Sequence, residues 1–75
     1  MKVMLKRSQF RNLSKILDNL LNIYKYSSKI IITINVMNND FNYVDEYIST
    51  YKSNYMRRNI LLYNENPKRI KICIV

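Results

Sequence analysis

Apolar and polar residues alternate at period two in four stretches of this chain and recur at helical spacing in two others. In Lys2 to Lys6, Val3 and Leu5 face one way and Lys2, Met4 and Lys6 the other, which predicts a short strand. Phe10, Leu13, Leu17, Leu20 and Tyr24 then follow helical spacing, with Ile16, Leu21 and Ile23 widening the stripe. Arg11, Lys15, Asp18, Asn22 and Lys25 occupy the opposite face, and Ser8 is placed to cap the first turn, so a helix is expected from about 8 to 26. Lys29 to Met37 is the clearest strand, with Ile30, Ile32, Ile34 and Val36 alternating against Ile31, Thr33, Asn35 and Met37.

Asn38-Asn39-Asp40 is turn chemistry followed by a cap. Phe41, Val44, Ile48, Tyr51 and Tyr55 line one face of a second helix, expected from about 40 to 53. Asp45 and Glu46 early in it and Lys52 near its end suit the helix dipole. Arg57 to Tyr63 and Lys68 to Val75 read as an antiparallel hairpin around an Asn64-Glu65-Asn66-Pro67 turn, with Arg58, Ile60 and Leu62 on one face of its first strand and Ile70, Ile72 and Ile74 inward on its second. The order β-α-β-α-β-β predicts an α/β (α+β) two-layer sandwich: a four-stranded mixed sheet with two helices on one face and the other face open.

Length bounds this to a single domain spanning residues 1–75 with a modest core. Composition changes the picture in one respect. Asn, Ile, Lys and Tyr make up 37 of the 75 residues, as A+T-rich coding favours, so part of the net charge of +8 reflects codon usage. Its distribution is another matter. Residues 1–11 carry +4, 12–37 carry +2, 38–55 carry −2 and 56–75 carry +4. The ends of the chain hold the charge, and the sheet brings Lys2, Lys6, Arg57, Tyr63, Arg69 and Lys71 onto the open face or its margins. Arg7 and Arg11 lie just before and within the first helix, and Arg58 and Lys68 flank the hairpin strands. Basic residues neutralise phosphates, and an interleaved Tyr offers a base a stacking surface, so this pattern points to RNA, DNA or a nucleoprotein.

The same open face carries apolar Ile31, Met37, Leu61, Cys73 and Val75, which fits a protein partner or self-association. Tyr43, Tyr47, Tyr51 and Tyr55 stand four apart on the second helix; Tyr51 and Tyr55 fall in the apolar register, leaving Tyr43 and Tyr47, with Ile31 and Leu61, as partner-interface candidates. Short length, A+T-rich coding and a half-apolar face motivate the alternative of a phage- or virus-encoded inhibitor or adaptor of the anti-defence type, acting on a host protein.

Several chemistries find no support in the residues. There is no His and one Cys, Cys73, so neither a His/Cys zinc site nor an internal disulfide forms. There is no Gly for a phosphate-cradling loop. Asp45 and Glu46 are adjacent on a helix and point about 100° apart, which does not make an acid/base pair. A non-enzymatic protein without metal or cofactor is expected. No apolar run approaches the ~18 residues of a membrane span, and the N-terminal run is cut by Lys6, so no membrane association and a cytoplasmic location (the host cell's, for a viral protein) are expected.

The element order, the basic Lys6-Arg7 before the first helix, Ser-Lys-Ile-Ile-Ile-Thr-Ile at 28–34 and the Ile-rich last strand resemble the Alba family of chromatin and RNA-binding proteins. The pattern is also similar to the C-terminal domain of bacterial translation initiation factor three. The resemblance implies nucleic-acid contacts from Lys6 and Arg7, where Alba-like proteins place a Lys pair, and from Arg11, Lys68 and Arg69, together with a homodimer. The chain departs from the family in having no Gly beside Lys6-Arg7 and a short turn where Alba-like proteins extend a DNA-gripping arm.

Overall fold

The inward isoleucines of three strands define the molecule. In the computed structural model, which describes residues 1–37, 40–55 and 58–75 (of 53–55 the backbone only), Ile30, Ile32, Ile34, Ile70, Ile72 and Ile74 are fully buried and Ile60 nearly so. The elements are β1 (Lys2–Leu5), a 3-10 segment (Arg7–Asn12), α1 (Leu13–Ile23), β2 (Ile30–Asn35), α2 (Asp40–Tyr55), β3 (Ile60–Asn66) and β4 (Arg69–Ile74). They form one mixed sheet in the order β1-β2-β4-β3. β1 runs parallel to β2, and β4 is antiparallel to both β2 and β3. The expected two-layer α+β fold is therefore the observed one.

Leu5, the inward isoleucines and Val36 pack against Phe10, Leu13 and Leu17 from the first helical segment and Val44, Ile48 and Tyr51 from α2. Each buried aliphatic side chain contributes about 1.5–3 kcal/mol against the cost of ordering the chain, so this one cluster carries the fold. The helices sit side by side and run the same way. Tyr47 meets Ser14 and Tyr51 meets Asp18, four residues on along each helix. Among the described residues no helix is long and apolar enough to cross a membrane.

Several boundaries depart from the sequence expectation, among them α2, which runs to Tyr55 and not 53, and β3, which starts at Ile60 and leaves Arg58 before the strand. The first helix does not start on Ser8. The Lys6 amide donates to Gln9 Oε1 at 2.8 Å while the Gln9 amide donates to the Lys6 carbonyl at 3.0 Å. That reciprocal pair starts the helical path at Arg7, as a 3-10 segment that becomes α-helical only at Leu13. The same helix stops at Ile23 rather than 26, and Ile23, expected to widen the apolar stripe, is 67% exposed in its last turn.

β2 is shorter than Lys29 to Met37, although Val36 keeps its inward place and its amide donates to the Lys68 carbonyl. The hairpin also turns later than expected. β3 continues to Asn66 and the turn is Pro67-Lys68, because Asn66 Oδ1 accepts the Lys68 amide at 2.9 Å. The extra length is absorbed by a bulge at Glu65, between the pairs Asn64–Ile70 and Asn66–Arg69. Tyr51 is buried as expected, while the side chain of Tyr55, placed in the same register, lies outside the described residues.

Candidate nucleic-acid interface

Strand register decides which basic residues meet. Leu5 pairs with Ile34, and Ile34 with Ile70. Lys6 follows Leu5 and Arg69 precedes Ile70, so their backbones lie two strand spacings, about 10 Å, apart at the same end of the sheet. Lys68 is tied to that end through its carbonyl bond to Val36. Arg7 and Arg11 rise from the 3-10 segment that leaves β1 there. Lys6, Arg7, Arg11, Lys68 and Arg69 thus gather at the end where β1 and β2 finish and β4 begins, and all five are exposed. The described residues hold no ion pair to Lys6, Arg11, Lys68 or Arg69.

Arg7 is engaged differently. Its Nε donates to Asp40 Oδ2 at 2.8 Å and its Nη2 to Oδ1 at 3.3 Å, a two-point grip on the first residue of α2. Asp40 Oδ2 also accepts the Met37 amide at 2.8 Å, and the Asp40 amide donates to the Met37 carbonyl. The Arg7 hydrogen bond, then the Met37 amide, holds the Asp40 carboxyl below the ordinary carboxylate range. The sequence assigned Asp40 only to capping; nothing in its spacing marks it as the partner of Arg7, 33 residues earlier.

Beside this pair lies a groove of about 530 Å³, lined by Arg7, Ser8, Phe10, Arg11, Asp40 and Tyr43. Tyr43 stacks on Phe10 with ring centres 6.3 Å apart and planes 18° from parallel, and Tyr47 lies 6.4 Å further on. Of the partner-interface candidates, Tyr43 is 55% exposed, while Tyr47 is half-buried with its hydroxyl on Ser14.

The remaining candidates lie elsewhere. The open face presents its side chains in rows across the sheet. One row is Lys2, Ile31, Cys73 and Leu61; the next is Met4, Thr33, Lys71 and Tyr63; the last is Asn35, Arg69 and Asn66. Lys71 sits with its ammonium 5.4 Å from the Tyr63 ring centre and 3.5 Å from Glu65 Oε1, so it is partly neutralised. Tyr63 remains half exposed in the same row. Lys2 stands in the far row, about 17 Å along the sheet from Arg69.

Arg58 is also at the far end, with its guanidinium bonded to the carbonyls of Tyr24 at 3.4 Å and Ile74 at 3.5 Å. Arg57 lies outside the described residues. Ile31 is half-buried and Leu61 exposed in the apolar row, where Cys73 between them is only 6% exposed although it faces away from the main core. The open face is therefore graded, polar and basic at one end and largely apolar, with Lys2 at its edge, at the other.

The element order and mixed sheet are consistent with an Alba-like or initiation-factor-three-like topology. Compared with protein-family models, curated proteins and solved structures, the chain matches none.

Proposed function

We propose that the chain is a small, non-enzymatic, basic module that binds nucleic acid, or nucleic acid within a nucleoprotein, through phosphate contacts at one end of its sheet. The observation that carries this is the convergence of Lys6, Arg7 and Arg11 from the start of the chain with Lys68 and Arg69 from its last hairpin. Codon usage raises lysine anywhere along a chain; it does not select one end of a sheet. The four of these that carry no ion pair among the described residues, Lys6, Arg11, Lys68 and Arg69, displace a strand's counterions, and that release supplies affinity without base-specific contacts. Lys6 and Arg7 stand where Alba-like proteins contact nucleic acid, which supports an Alba-like mode without the extended arm. Titration of the full chain with labelled RNA and DNA across salt is the test. Affinity is expected to fall about fiftyfold or more between 50 and 200 mM salt. A salt-independent affinity, or none, would end this reading.

The apolar end of the open face, with Ile31, Leu61 and Val75, favours a second reading, a protein-binding inhibitor or adaptor of phage or viral origin acting on a host protein. A single stoichiometric partner that survives nuclease treatment would support it over the first. A homodimer through that face would show instead as a doubled mass in solution.

A further inference from the structure

We infer that the groove between the 3-10 segment and the start of α2 takes one unstacked nucleotide of a single strand, its base on Tyr43 and its phosphate on Arg11. This inference rests on the nucleic-acid reading above and adds to it the form of the ligand. Three observations support it. The groove, at about 530 Å³, falls in the size range of small-ligand sites. Part of its lining is a fixed aromatic surface: Phe10 is buried in the core and backs Tyr43, and Tyr47 behind the groove is anchored through its hydroxyl to Ser14, yet Tyr43 keeps more than half its surface in solvent. The lining also carries two guanidinium groups and one carboxylate, and the carboxylate is already held by Arg7 and the Met37 amide. What is left unmatched is one positive charge, that of Arg11, beside one exposed ring.

A flat apolar ring joined to a single negative charge meets both requirements, and a nucleotide unit of a strand is that ligand. A duplex is not, because its base faces are covered by their neighbours. Aromatic stacking is tolerant of base identity, so no sequence preference follows from the groove. The nearby Lys6, Lys68 and Arg69 would track the backbone on either side.

The test uses the full chain, a mixed-sequence oligonucleotide alone and the same strand annealed as a duplex. The single strand is expected to bind more tightly than the duplex. Tyr43→Ala should weaken single-strand binding about fivefold to a hundredfold, Tyr43→Phe should retain it, and neither should alter the salt slope or duplex binding. A nucleoside monophosphate should displace the strand at concentrations where inorganic phosphate does not. Unchanged thermal unfolding of both variants keeps a loss of affinity separate from a loss of fold. If Tyr43→Ala binds the single strand like the parent while Lys68→Gln with Arg69→Gln still weakens it, the inference is wrong and the phosphate-binding reading stands. Equal displacement by phosphate and nucleotide would likewise overturn it. If the parent chain binds neither form, both proposals fall together.

Discussion

The Arg7–Asp40 pair joins the start of the first helical segment to the start of α2. Its worth is limited by exposure, since more than half of the Arg7 side chain meets solvent. The linkage nevertheless has a definite sign. Asp40 titrates below its ordinary value of 3.8 in the folded chain, so its contribution is present in full above that value and is lost as pH falls through the lower folded one. Asp40→Asn is therefore expected to be less stable than the parent in urea at pH 7, with the gap closing below about pH 4. A gap that persists undiminished into strong acid would mean that Asp40 acts through its shape and not its charge. The residue scale is also where the sequence was least legible. Ser8 and Asp40 carried the expected cap chemistry, but the pairs that start the helices are Gln9 with Lys6 and Asp40 with Met37. A side chain that reaches back to an amide three residues earlier leaves no trace in hydrophobic spacing.

At the scale of elements, the tyrosines of α2 do more than fill a stripe. Asn12 makes no side-chain cap to α1, and the amide of Ser14, in the first turn of that helix, donates instead to the hydroxyl of Tyr47 at 3.0 Å. Helix α2 thus supplies what α1 lacks at its start, and Tyr51 repeats the link one turn on with its hydroxyl 2.7 Å from Asp18. Tyr47→Phe keeps the ring and removes that acceptor. It is expected to cost about 1 kcal/mol in urea unfolding, which for a domain of this size lowers Tm by about 4–8 °C. No change would assign Tyr47 to ring packing alone. Period two in Ile30 to Val36 and Ile70 to Ile74 and helical spacing through Leu13, Leu17, Val44, Ile48 and Tyr51 made the elements and their buried faces legible, because one face of each must leave water. Where β3 ends was not legible. The bulge at Glu65 answers to the Asn66 turn bond and to cross-strand pairing, neither of which is periodic.

At the scale of the whole molecule, the claim is that +8 is arranged and not merely accumulated. The segmental charges showed both chain ends to be basic, yet they could not show which cations share a neighbourhood, because that depends on β4 inserting between β2 and β3. The insertion sets Lys68 and Arg69 beside the end of β2, near Lys6 and Arg7, and leaves Lys2 and Arg58 at the opposite end. It likewise places the apolar part of the open face, around Ile31, Cys73 and Leu61, at the end opposite the Lys6, Arg7, Lys68 and Arg69 cluster.

The most direct measurement compares the salt dependence of single-strand binding for two charge-matched double variants. Lys68→Gln with Arg69→Gln alters the end proposed to bind; Lys2→Gln with Lys29→Gln removes the same charge from the other end. The log–log salt slope is expected to shrink by about 1.4 for the first pair, because two phosphates go unneutralised, and to stay at the parent value for the second. Equal changes from both pairs, or none from the first, would contradict this: the charge would then act as a total and the end of the sheet would not be a site.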